Sequence, residues 1–189
     1  MGHATLAAAH VIFERIDPAR AEVRFSSLSG PLLVRRSQGL LEMDFPARRP
    51  APCPAPSLLL DGLGEKPEQV LAAQHYLAVF RDAEAVQRLA PDLDRLARLD
   101  RAAVIVTAPG GPGDFVSRFF APANGVPEDP ASGVAHCSLI PYWSKRLGKR
   151  RLIGHQLSKR GGVFFCEDRG ERVIIAGRAV FFLEGAITI

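Results

Sequence analysis

The sequence predicts an α+β protein made of mainly antiparallel strands with a few helices. Three observations carry this. Short runs rich in Val, Ile, Leu and Phe recur between turns that contain Gly or Pro. Two longer segments, one in each half of the chain, are apolar and rich in small residues. Strands and helices do not alternate in the β-α-β manner that builds parallel sheets. The chain has 189 residues, 47% hydrophobic and 23% charged, a globular balance that excludes disorder, collagen and coiled coil. That length supports one domain, or two small ones, with ample core.

Ala4 to Phe13 (ATLAAAHVIF) combines helix formers with apolar residues on nearly every side. It predicts a helix buried on most faces. VRFSSLSGPLLVRR and LLEMDFP then read as strands, with Ser29-Gly30 and Gln38-Gly39 at the turns. Pro46 to Pro56 holds five prolines in eleven residues. Proline neither donates to a ladder nor continues a helix, so this stretch predicts an extended connector and a domain boundary. A short helix near Ser57–Gly64 and a strand near Val70–Phe80 follow. Asp82 to Leu99 predicts a helix, with Val86, Leu89, Leu93, Leu96 and Leu99 at helical spacing.

Ala102–Thr107 and Asp114–Phe120 read as strands joined by the loop APGGPG. Ala121 to Gly133 (APANGVPEDPASG) is a long polar loop leading into a second apolar helix. Gly148 closes that helix near Leu147. The last predicted strands are Leu152–Ser158, Gly162–Glu167, Arg172–Ala176 and Ala179–Ile187.

Net charge is +4. The densest basic stretch comprises Lys145, Arg146, Lys149, Arg150, Arg151, Lys159 and Arg160. Such a run either tracks phosphates or crowns a helix end, where cations meet the carbonyl dipole. With no aromatic residues interleaved, a helix end is expected, and no nucleic-acid partner. Cys53, Cys137 and Cys166 have neither disulfide-framework nor zinc-site spacing, and Cys137 is expected in the core. Apolar stretches fall short of the roughly 18 residues a membrane span needs. The N-terminus lacks the basic start of a signal peptide, and Leu6 breaks the myristoylation pattern. A soluble, cytoplasmic protein without a membrane partner is expected.

GHATLAAAH and SGVAHCSL each place small residues at a predicted helix start with a histidine nearby, His3 and His136. Small residues there leave backbone amides uncovered, which makes an anion cradle. They equally permit close packing of a buried helix, and spacing alone leaves both open. Asp129, before Pro130, suits an N-cap by its own chemistry. His10, His75, His136 and His155 show no metal-ligand spacing.

GHATLAAAHVIF, LEMDFP, SRFFAPANGVPEDPASGVAHCSLIPYWSKRLGK and GRAVFFLEGAITI together resemble the PhzF family, named for phenazine biosynthesis. The resemblance covers essentially the whole sequence. It implies a two-lobed, diaminopimelate-epimerase-like fold, each lobe a barrel-like, mostly antiparallel sheet around a central helix. Residues 1–50 would be the remnant of an incomplete first lobe and 51–189 the second, the last strand crossing back. The family's phenazine-pathway member isomerises a dihydro-hydroxyanthranilate by moving a proton along a conjugated carboxylate, without metal or nucleotide. The implied function is therefore a cofactor-free isomerase acting on a small carboxylate. His3 matches the family's active-site histidine, a proton carrier or substrate contact. Asp129 matches its motif aspartate, which would orient substrate or share a proton. Gly2, Ser132 and Gly133 match substrate-binding positions, the Ser132 and Gly133 amides holding the carboxylate.

Two departures stand out. The family's catalytic glutamate lies in an Asn-Leu-Ser-Glu-Thr-like segment upstream of Gly-His-Ala-Thr, whereas this sequence starts at Met1-Gly2 and its first glutamate is Glu14. Val134 stands where the family commonly has Ser, and valine relays no proton. Impaired turnover is expected, or alternatively an inactive family member acting through binding. Strands absent from the first lobe would leave apolar surface exposed on the first helix, which a homodimer is expected to cover.

Overall fold

The computed structural model describes residues 2–27 and 30–186. Two compact units divide the chain: Met1–Asp44 with Ala176–Ile189, and Phe45–Ile175. The Pro-rich connector thus lies wholly in the second unit.

The first unit opens with α1, Gly2–Val11, which passes into a π-helical turn at Ile12–Ile16. β1 (Glu22–Phe25), β2 (Leu32–Ser37) and β3 (Leu40–Pro46) follow as an antiparallel meander. The β2–β3 turn is the expected Gln38-Gly39 pair, with φ of 48° and 75°. Both residues are left-handed, as a two-residue hairpin turn that matches strand twist requires. Ser29 of the other expected turn lies outside the described residues. Ala9, Phe13, Val23, Val34, Leu41 and Met43 are buried. The expectation of a helix buried on most faces is corrected, because Ala9 alone is buried within α1. Alanine is the best helix former whether or not it is covered, so an Ala-rich run specifies helix without specifying burial.

Residues 178–186 form no strand, which corrects the expected strand over Ala179–Ile187 as far as it is described. This segment is instead tied down by side chains. Phe181 lies 4.8 Å from the His10 ring and 4.8 Å from the Arg15 guanidinium, and Arg15 pairs with Glu184 at 3.3 Å. Val180 and Phe182 are 83% and 99% exposed.

The second unit begins with β4 (Ala51–Pro52) and α2 (Ser57–Leu63), the latter closed by left-handed Gly64. The single strand expected near Val70–Phe80 is a hairpin, β5 (Gln69–Ala72) and β6 (Tyr76–Val79). Its turn is fastened where the Ala73 amide donates to the His75 carbonyl. The helix expected over Asp82–Leu99 is two helices, α3 (Ala83–Arg88) and α4 (Leu93–Leu96). Pro91 stops the first because its ring clashes with the preceding turn. Asp92 restarts the second by accepting the Arg95 amide, as Asp82 accepts that of Ala85 in α3.

β7 (Val104–Pro109) and β8 (Phe115–Phe120) form the expected hairpin. α5 spans Gly133–Leu147 with Gly148 as its left-handed cap. β9 (Arg151–Gln156), β10 (Gly162–Asp168) and β11 (Arg172–Gly177) complete the order β11-β10-β9-β8-β7-β6-β5-β4. The sheet is mixed, since β6–β7 and β8–β9 are parallel.

Strand periodicity sorts two cores, one on each face of this sheet. Leu77, Val79, Ile105, Phe115 and Phe119 pack with Ala135, Leu139, Ile140 and Trp143 of α5. Their neighbours Ala78, Val104, Val106, Val116 and Phe120 pack with Leu59, Leu63, Val86 and Leu96 of α2, α3 and α4. α5 is thereby the buried helix of this unit, nine of its fifteen residues being buried. The sole tryptophan is fixed by chemistry as well as packing: Trp143 Nε1 donates to Thr107 Oγ1 at 3.0 Å, and that hydroxyl donates to the Val116 carbonyl. No described helix is long and apolar enough to cross a membrane.

Candidate active site at the start of α5

The loop carrying Glu128, Asp129, Ser132 and Gly133 runs from the end of β8 to the first turn of α5. Four anchors hold it. The Asp129 amide donates to the Phe119 carbonyl at 2.9 Å. Arg118 Nε and Nη2 grip both oxygens of Glu128, at 2.8 and 3.1 Å, and Nη1 donates to the Leu89 carbonyl at 2.6 Å. Ser158 Oγ donates to the Pro130 carbonyl at 2.7 Å.

The fourth anchor is Gln156, at the end of β9. Its Nε2 donates to the Asp129 carbonyl, and its Oε1 accepts the Ser132 amide at 2.8 Å. This buried amide side chain stands in for a strand partner on both sides of Pro130, whose nitrogen has no hydrogen to donate.

The anchors fix the expected site residues in particular states. Asp129 Oδ1 accepts the Ala131 amide at 3.2 Å, an Asx turn that braces the approach to the helix. Ser132 is the N-cap of α5 but makes no side-chain cap bond, and its buried Oγ has no partner among the described residues. Of the two amides expected to hold a carboxylate, that of Ser132 is already given to Gln156. Gly133 begins the helix, and a Cβ placed there would meet nothing within 4 Å. Its amide belongs to the first turn, where N–H groups have no acceptor inside the helix. Small size at this position therefore leaves open space in front of a positive helix end. Val134 beside it is exposed.

His136 lies one turn into α5 and is fully buried. Its Nδ1 is 2.8 Å from the Ser132 carbonyl. A carbonyl only accepts, so Nδ1 carries the proton and Nε2 holds a lone pair. The ring stacks on Phe164 at 3.7 Å between centroids. Burial pushes its pKa down to about 4, against the Ser132 hydrogen bond. His136 is thus a neutral, structural brace at the helix start. Cys137 is buried in α5, and burial pushes its thiol up to about 11, which leaves it un-ionised.

Gly2 and His3 are the first two residues of α1 in the other unit. His3 is exposed, and Gly2 is half-buried. No group of three or more His, Cys, Asp and Glu side chains poised to hold a metal ion occurs among the described residues.

Gln156, Ser158 and Arg118 are the positioning residues that sequence reasoning missed. A signal existed for Arg118, a lone cation inside a Phe- and Val-rich strand ten residues before Glu128. Gln156 and Ser158 gave none, because polar residues at alternating positions of a strand ordinarily face water.

Comparison with known proteins gives one consistent result. The model of the family described as phenazine biosynthesis-like protein matches residues 1–185. Two proteins of Pseudomonas aeruginosa, each named an uncharacterized isomerase, are 48% and 50% identical to the chain. They match over 98% and 100% of its length and 72% of their own. A mouse phenazine biosynthesis-like domain-containing protein is 33% identical over 99% of the chain and 72% of its own length. The crystal structure of an Enterococcus faecalis phenazine biosynthesis protein of the PhzF family superposes with a TM-score of 0.95. It is 41% identical and covers 100% of this chain and 73% of that one. A predicted epimerase of Pseudomonas aeruginosa, 18% identical with a TM-score of 0.60, shares the fold. By family model, by relatives and by structure, this chain belongs to the PhzC-PhzF family of phenazine biosynthesis-like proteins.

Proposed function

We propose that the chain is a PhzF-like, cofactor-independent isomerase that binds a small carboxylate at the start of α5 and shifts a proton on it. The observation that carries the proposal is the anchored loop at 128–133, which holds an open helix N-terminus at Gly133 behind a fixed Asp129. A substrate carboxylate accepts from the Gly133 amide, where the dipole of a fifteen-residue helix favours negative charge. Ser132 serves through its place as N-cap, its amide locked by Gln156. By the family pattern alone, Gly2 is a substrate-contact candidate and His3 a proton-carrier candidate. Charge developing on the substrate is stabilised by the same helix end that binds its ground state.

Slow turnover by this chain belongs to the proposal. Glu128 is held at both oxygens by Arg118, and Asp129 accepts the Ala131 amide. Both carboxylates of the motif are therefore engaged in holding the loop. Val134 provides no hydroxyl to relay a proton. A homodimer is proposed as well, on the strength of the exposed Val180 and Phe182.

The test incubates the chain with a dihydro-hydroxyanthranilate-type acid in D₂O and follows binding and deuterium incorporation together. Binding with exchange about 10²–10⁴-fold below a fully active family enzyme is expected, the usual loss when the carboxylates of the motif are committed to structure and do not act as a general base. Exchange at a fully active family enzyme's rate would assign Asp129 or His3 as a sufficient base and remove the slow-turnover part. Absence of binding would remove the proposal.

A further inference from the structure

The basic run left unused by the proposed chemistry does not form one surface. Lys149 pairs with Asp114, while Arg150 and Arg151 lead into β9. Lys145 and Arg146, on the last turn of α5, instead meet Arg49 of the Pro-rich connector across an open groove of about 640 Å³. All of it lies in the second unit.

The groove has an apolar floor and a cationic rim. Leu71 of β5 and Pro141 of α5 line it together with Pro50 and Pro52 of the connector. Tyr142 spans it by accepting a hydrogen bond from Arg146 Nη1 at 2.7 Å and donating to Gln69 Oε1 at 3.2 Å. That chain ties the helix to β5 and holds the groove in shape.

Its charge is one-sided. Arg49 is balanced in part by Asp168 at 3.9 Å. Lys145 makes no ion pair among the described residues, and Arg146 spends one donor on the neutral Tyr142. Among the described residues no carboxylate lines the groove. A volume of several hundred Å³, a mostly apolar lining and a few converging polar groups are what a small-molecule site requires. Two uncompensated cations at the rim select the sign of its ligand.

We propose that this groove binds an amphipathic anion, a small molecule with an apolar body and a terminal carboxylate. The apolar body lies on Leu71, Pro141 and the connector prolines, and the carboxylate meets Lys145 and Arg146. The site is separate from the start of α5. Gly133 and Arg146 are thirteen residues apart on one helix, about 20 Å at 1.5 Å per residue.

Octanoate is the probe, added to the ¹⁵N-labelled full chain, with octanamide and inorganic phosphate as controls. Amide shifts at residues 69–71 and 142–146 are expected, with a change in the emission of Trp143, over whose ring the Arg146 guanidinium sits at 5.3 Å. Octanamide and phosphate are expected to bind more weakly. Lys145→Glu, at an exposed side chain, should weaken octanoate about fivefold, the upper range for one solvent-exposed charge pair. Lys145→Gln should fall between that variant and the parent. Equal binding of octanamide, equal binding of phosphate, unchanged affinity in Lys145→Glu, or shifts confined to the start of α5 or to 178–186 would each overturn the proposal.

Discussion

Gln156 does the work of two backbone groups, and its removal gives the sharpest test of how the site is held. Gln156→Ala leaves the Ser132 amide and the Asp129 carbonyl without their partner in a buried setting. A buried polar group left unpaired costs about 1–3 kcal/mol. Urea unfolding should show a loss in that range, and carboxylate binding should weaken in parallel because Gly133 is no longer fixed. A variant that loses stability but binds normally would separate the anchor from the site. His136 supplies a pH test at the same place. Its folded pKa is about 4 against an ordinary 6.5, so between those values the unfolded chain carries a proton that the folded chain does not. Stability therefore falls as pH drops through that window, by about 3 kcal/mol once pH is below both values. His136→Gln should flatten this part of the profile measured by denaturant unfolding. At this scale the sequence was legible in part where a residue's role is local. Asp129 reads as an N-cap from its own neighbours, but the N-cap of α5 is Ser132, and Asp129 instead accepts the Ala131 amide in an Asx turn just ahead of it. Gln156 was not legible, because its partners lie more than twenty residues away and nothing in a strand's alternation marks a polar residue as buried.

Elements were legible where turn chemistry and periodicity agreed. Gln38-Gly39, the APGGPG loop and Gly148 each place a left-handed residue where the chain must reverse or a helix must end. Asp82 to Leu99 shows the two signals in conflict. Apolar spacing ran through Pro91 as though the helix were continuous, and the missing amide and ring clash of proline decided otherwise. The β5–β6 hairpin carried no signal at all, since Ala73, Gln74 and His75 include no Gly, Pro, Asn or Asp. The interrupted helix gives a prediction. Asp92 caps α4 through the Arg95 amide at 3.0 Å from an exposed position, so Asp92→Ala should cost about 1 kcal/mol, the usual value for an N-cap. Thermal unfolding followed by circular dichroism would measure it. Its partner, Asp92→Asn, keeps a capping oxygen and should cost a fraction of that.

At the scale of the whole molecule, the two units differ in how completely they cover themselves. Every residue of both large hydrophobic clusters falls between Phe45 and Ile175. The first unit has a smaller set of buried side chains and carries the most exposed apolar ones, Phe182 at 99% and Val180 at 83%. The sequence led to exposed apolar surface in this unit but located it on the first helix. It lies chiefly in the segment after β11, which strand-like composition alone assigned to a ladder. A cooperative core that is complete within one unit should fold without the other. The fragment 45–175 is therefore expected to unfold in one transition, reported by buried Trp143, with a stability close to that of the second unit in the full chain. Contiguous exposed apolar side chains drive association, so the full chain should self-associate in sedimentation while the fragment remains a monomer. Phe182→Ser in the full chain should lower that association and leave the Trp143 transition where it was. A fragment that lacks a cooperative transition would show that the first unit supplies stability beyond its own core. Association that persists in the fragment would move the contact surface to the second unit.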